Sequence, residues 1–116
     1  MKLVYVAGKY TVGDTDQNVR IARDVAVKLW DLGFAVICPH TNHGYFENDC
    51  KVADYDDYLD GCHLMVKGCD ILYMLPDWDE SPGAKSERRL ATTLDIPVVY
   101  SIPEIKRLKQ HMDSKS

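Results

Sequence analysis

Two absences narrow the field first. The sequence has no stretch crowded with lysine and arginine: 14 basic residues stand against 18 acidic ones, for a formal net charge of −4. A protein that grips nucleic-acid backbone needs a positive stripe, and none is present, so no nucleic-acid partner is expected. Long hydrophobic runs are missing too. The amino-terminal MKLVYVAG carries only a short apolar run, too short for a signal peptide or a membrane span, which makes a cytoplasmic protein with no membrane partner the expectation. Cysteine is sparse for a disulfide framework. In a reducing compartment Cys38, Cys50, Cys62 and Cys69 read as free thiols.

What is present is a globular balance of 46% hydrophobic and 28% charged residues over 116 positions, enough for one domain spanning residues 1–116 and too little for two. No repeat and no linker interrupts it. Leu3–Ala7, Phe34–Cys38, Ile71–Leu75 and Pro97–Ile102 are short apolar runs closed by turn residues, the pattern of strands buried on both faces. Between them lie helical periodicities. Val19, Ala22, Val25, Ala26 and Leu29 follow a D-x-x-Q start at Asp14 and end before Gly33. Tyr55, Leu59, Cys62, Met65 and Val66 form a second stripe. A third helix is predicted from Pro82 to Asp95, and a short one from about Pro103. Strand and helix in alternation predict an α/β fold: a doubly wound, flavodoxin- or Rossmann-like parallel sheet of four or five strands with helices on both faces. Ligands of such sheets bind beyond the carboxyl ends of the strands, here the loops 8–13, 39–50 and 76–83.

In the third helix, Gly83, Glu87, Leu90, Ala91 and Leu94 share one side, and Glu87 is an acid inside that stripe. An unpaired buried carboxylate costs several kcal/mol, on the order of a domain's whole stability. Either Glu87 faces a cavity, or it bends outward to Lys85 or Arg88. An ionised acid in a semi-enclosed cleft suits a nucleophile, such as the one retaining glycosyl transfer requires. Ser81-Pro82-Gly83 opens the same helix. Free N–H groups there favour anions, and Ser81 serves equally as a plain helix cap. CPHTNHGYFENDC holds Cys38, His40, His43 and Cys50, whose spacing matches no common structural zinc pattern, so no metal is expected. His40 and His43 instead suit the mouth of a pocket for a planar ligand, with Tyr45 and Phe46 as a lid. Trp78 and Asp79 read as loop-surface residues, and the acidic run from Tyr55 to Asp60 as a solvated helix face.

YVAGKY, ICPHTNHGYF and CDILYMLPDWDESPGAKSE followed by IPVVY resemble, in that order, the nucleoside 2-deoxyribosyltransferase-like superfamily. The likeness spans roughly residues 3–100 and is closest to short bacterial and phage members and to the small 2′-deoxynucleoside 5′-monophosphate N-glycosidases. The resemblance implies Glu87 as nucleophile and Tyr5 as the residue that positions it. It implies substrate contacts from Gly8, Lys9, Tyr10, His40, His43, Cys62, Ser81 and Gly83; Asp70, at the entrance of the third strand, is a further candidate contact, or an acid that ties down a loop, or simply a polar residue at a strand entrance. It also implies hydrolysis or base exchange on a nucleoside or nucleoside 5′-monophosphate, no cofactor, and a homodimer or homotetramer. Ser81 tilts the expectation toward nucleotides, and Gly-Lys-Tyr stands where Gly-Pro-Tyr is usual. Relatives carry an Asp where this sequence has Cys62, a thiol that replaces a carboxylate only if its pKa is lowered. The alternative is therefore a weak or inactive nucleotide-binding module of the same fold.

Overall fold

The structure, a computed structural model, describes residues 1–115. Four parallel strands form one sheet: β1 (Leu3–Ala7), β2 (Ala35–Ile37), β3 (Ile71–Met74) and β4 (Val98–Val99), in the order β2-β1-β3-β4. Helices α1 (Thr15–Asp31), α2 (Pro39–Asn42, one helical turn), α3 (Tyr55–Lys67), α4 (Pro82–Thr93) and α5 (Ile102–Lys115) connect and flank them. The expected α/β architecture is what the chain adopts. The paired strands are shorter than their apolar runs. Only Val98 and Val99 pair from 97–102, because Ser101 accepts from the Glu104 amide and Ile102 already opens α5.

Alternation along the strands splits the core in two. Val4, Val6, Ile71 and Tyr73 face a cluster completed by Ala22, Ala26 and Leu29 of α1 and Ile105 of α5. Tyr5, Ala7, Leu72 and Met74 face the opposite layer, with Val66 of α3 and Ala84 and Ala91 of α4. A one-residue slip in register would exchange these two sets, so burial on both sides holds the pairing Val4–Ile71 and Tyr5–Leu72 in place.

Helix ends follow local chemistry. Asp14 accepts from the Gln17 amide at the start of α1. At α3, Asp54 accepts from the Asp57 amide while Asp57 accepts from the Asp54 amide, a complete capping box. Part of the acidic run expected to be a plain solvated face thus holds the helix start. No helix among the described residues is long and apolar enough to cross a membrane.

The strand order reverses around β1. From β1 the chain moves outward to β2, then crosses back over β1 to β3. The carboxyl ends of β1 and β3 therefore diverge into different loops, and a hollow opens there between α2, α3 and α4.

Candidate functional site

That hollow is a cavity of about 510 Å³, within the ~300–1,000 Å³ usual for small-molecule sites. Glu87 and Tyr5 belong to its lining. On α4 the buried positions Ala84, Glu87 and Ala91 recur at helical spacing, so packing of the alanines against the sheet carries Glu87 inward. Tyr5, fully buried on β1, donates its hydroxyl to Glu87 Oε2. Burial pushes the Glu87 carboxyl up to about 7, with the Tyr5 hydrogen bond pulling the other way. Burial, and after it the Glu87 charge, drives the Tyr5 phenol upward, so it stays a proton donor. The outward alternative for Glu87 is not adopted. Arg88 stacks on the Trp78 ring at 5.1 Å and donates to the Tyr100 hydroxyl at 2.7 Å. Trp78, expected at the loop surface, is half-buried against the α3–α4 layer, which gives that guanidinium its seat.

Cys62 reaches the cavity from α3. It interacts with the Tyr5 hydroxyl and lies 3.9 Å from His43 Nε2. Burial raises its thiol above the ordinary range. His43 stacks on Tyr58, ring centroids 5.7 Å apart and planes 4° from parallel. His40, only 5% exposed, places Nε2 2.8 Å from the Lys9 carbonyl. A carbonyl only accepts, so that nitrogen carries the hydrogen and Nδ1 is left as an acceptor. Nδ1 is buried with no partner among the described residues. Burial lowers the pKa of both imidazoles below the usual value, leaving them neutral at pH 7.

Of the eleven residues picked from sequence, Tyr5, Gly8, Tyr10, His40, His43, Cys62, Ser81, Gly83 and Glu87 line this one cavity. Lys9 and Asp70 do not. The Lys9 amine turns away to Glu80 at 3.3 Å and Asp77 at 3.8 Å. Asp70 sits at the opposite, amino-terminal end of the strands, where its carboxylate accepts from the Leu3 amide at 2.8 Å and ties β1 to β3. Gly8 has a packing reason for lacking a side chain, since a Cβ there would lie 2.8 Å from Leu75 Cβ. Ser81 accepts from the Ala84 amide at 3.1 Å as the cap of α4.

Several lining or supporting residues are not singled out by the sequence pattern. Asn18, buried on α1, donates to the Tyr10 and Val12 carbonyls, both at 2.8 Å, and fixes the loop that presents Tyr10. Its signal is a polar residue inside an apolar stripe. The Tyr10 hydroxyl donates to Glu47 at 2.7 Å and accepts from the Tyr45 amide at 2.6 Å, while the Tyr45 hydroxyl donates to Asp16. Segment 44–48 is thereby strapped over one side of the cavity. Glu47 and Asp54 add carboxylates to the lining, and Tyr55, Tyr58 and Leu59 add apolar surface. Among the described residues no group of three or more His, Cys, Asp or Glu is placed to hold a metal ion.

The sequence model of a family described as a domain of unknown function (DUF4406) matches residues 2–100, and the chain belongs to that family. No curated protein matches it.

Proposed function

We propose that the protein cleaves or exchanges the N-glycosidic bond of a nucleoside or nucleoside 5′-monophosphate through a covalent glycosyl ester on Glu87. One observation carries this reading: a buried carboxylate in the wall of a nucleoside-sized cavity at the strand carboxyl ends, with a tyrosine hydroxyl holding one of its oxygens. The ordered resemblance of YVAGKY, ICPHTNHGYF and CDILYMLPDWDESPGAKSE to the nucleoside 2-deoxyribosyltransferase-like superfamily supports it, as does the parallel sheet.

In the first step a Glu87 oxygen bonds to the anomeric carbon, the C–N bond breaks, and its electron pair leaves with the base. A neutral base takes up a proton from water as it departs. In the second step water, or the nitrogen of another base, attacks the same carbon. The ester bond returns its pair to Glu87, and the incoming group's proton passes to solvent. Tyr5 keeps the attacking carboxylate aimed. Because the nucleophile must be ionised, the rate rises with pH through about 7.

The test is a panel of ribo- and deoxyribonucleosides and their monophosphates, with free base followed by chromatography. Release that disappears in Glu87→Gln is the expected result. No release from any compound, or undiminished release in the variant, overturns the enzymatic reading. The protonated Cys62 thiol favours a second reading, a nucleotide-binding module with little chemistry. Recovery of an intact, tightly bound nucleotide by calorimetry and chromatography distinguishes it.

A further inference from the structure

The charge of the cavity says which nucleoside it suits. Among the described residues its lining holds three carboxyl groups, Glu47, Asp54 and Glu87, and no Lys or Arg. His40 and His43 are neutral at pH 7, and Lys9 is committed to Glu80 and Asp77 outside the lining. The first turn of α4 has little to offer an anion. Pro82 has no N–H, the Ala84 amide is taken by Ser81 Oγ and the Lys85 amide by the Ser81 carbonyl, which leaves Gly83. A phosphate dianion placed here gains about one backbone donor and meets carboxylates from three elements. Sugar hydroxyls, unlike a phosphate dianion, can donate to the carboxylates of the lining.

The aromatic surface points the same way. Tyr10, Tyr55 and the stacked pair His43–Tyr58 line the cavity together with the carboxylates, and aromatic faces beside carboxylates attract a planar cation. Cys62 adds a chemical reason. It sits by Tyr5 and Glu87, where a departing neutral base would call for an acid, and a thiol held above its ordinary range is a poor proton donor at neutral pH.

We propose that the substrate is an unphosphorylated nucleoside whose base carries a permanent positive charge, such as an N-glycosylated pyridinium or an N-alkylated purine. The inference rests on the glycosidic reading above and narrows it. When Glu87 attacks, the C–N bonding pair neutralises the charged ring, so the base leaves as a neutral molecule without any proton. Water then releases the sugar from Glu87 and its proton goes to solvent. A cation in the cavity also favours the ionised form of Glu87, which a phosphate dianion would oppose.

The wild-type protein decides the matter at pH 8. Nicotinamide riboside and 7-methylguanosine are compared with guanosine, deoxyguanosine and their 5′-monophosphates, with spontaneous release subtracted using Glu87→Gln. The expected result is a kcat/KM at least about tenfold higher for the cationic nucleosides, the size of a favourable cation–aromatic contact. Glu47→Gln is expected to narrow that ratio. Equal or faster release from neutral nucleosides or monophosphates overturns the cationic preference and leaves the glycosidic reading standing. Release from none of the compounds overturns both.

Discussion

The hydroxyl of Tyr5 donates to Oε2 of Glu87, joining the inner strand β1 to helix α4 across 82 positions of sequence. Both partners are buried, so neither exchanges this bond freely for water. Two opposed effects meet at the carboxyl. Burial disfavours its charge, the tyrosine hydrogen bond favours it, and burial prevails, setting the titration near pH 7.

Tyr5→Phe keeps the ring and deletes the donor. Burial is then unopposed, and Glu87 is expected to titrate above about 7. Carbon-13 NMR of the glutamate carboxyls across pH 5–9 reads this directly, and the acid limb of any base-release profile should move with it. A titration that stays in place or moves downward would mean that the hydrogen bond does not favour the carboxylate.

Glu87→Gln should stabilise the fold in a pH-dependent way. The folded carboxyl titrates near 7 against 4.5 for a free one. Below about pH 4.5 it is protonated in both states, and its burial carries no charge penalty. As the pH rises through about 7, the folded state must bury a charge and loses stability. The neutral glutamine avoids that loss. Its advantage is expected to approach about 3 kcal/mol at pH 8 and to vanish at pH 4, as measured by urea denaturation. Activity should fall while stability gains.

Two glycines should respond to alanine with opposite signs. A Cβ on Gly44 would lie 2.0 Å from the carbonyl oxygen of His40, so α2 or segment 44–48 must move. Gly44→Ala is expected to cost about 1–3 kcal/mol and to loosen the cavity wall. Gly61 lies inside α3 with nothing within 4 Å of its Cβ position. Gly61→Ala should gain about 0.5–1 kcal/mol from helix propensity. Denaturation of both variants under the same conditions checks the contrast.

Cys62→Asp places a second carboxyl by Glu87. Two neighbouring acids resist double ionisation, so the variant should lose stability between pH 5 and pH 8 relative to the parent. Under the glycosidic mechanism, the introduced carboxyl, in its protonated form, would supply the acid that the thiol does not. Release from neutral nucleosides should then rise by about tenfold to a hundredfold, with little gain for cationic ones. A uniform change across both substrate classes would place the effect elsewhere.

Much of this molecule could be read along the chain. The four apolar runs and the helical stripes between them are local patterns, and each became the element it predicted, within a few residues at the ends. Glu87 stood out because an acid interrupted a stripe that packing would bury. Asn18 carried the same kind of signal on α1, yet its two carbonyl partners lie in a loop whose path the stripe does not reveal.

Lys9 and Asp70 show where such reading stops. Both have the residue types and the neighbours of a site, and both act elsewhere: Lys9 on Glu80 and Asp77, Asp70 on the amide of Leu3. Whether a side chain faces the cavity depends on how far apart the loops stand and which strand end they leave. Those distances are set by sheet order and register. By itself, then, the sequence determined the elements, their buried faces and the one acid that could not be left in an apolar stripe, because these follow from periodicity and burial over a few turns. The resemblance already paired Tyr5 with Glu87, but only the tertiary structure decided that the hydroxyl donates to Oε2, that His40 commits one nitrogen to the Lys9 carbonyl, and that three carboxyls and no Lys or Arg among the described residues share a hollow. Those pairings join residues far apart in the chain, and close contact between them exists only once the strands have paired and the helices have packed.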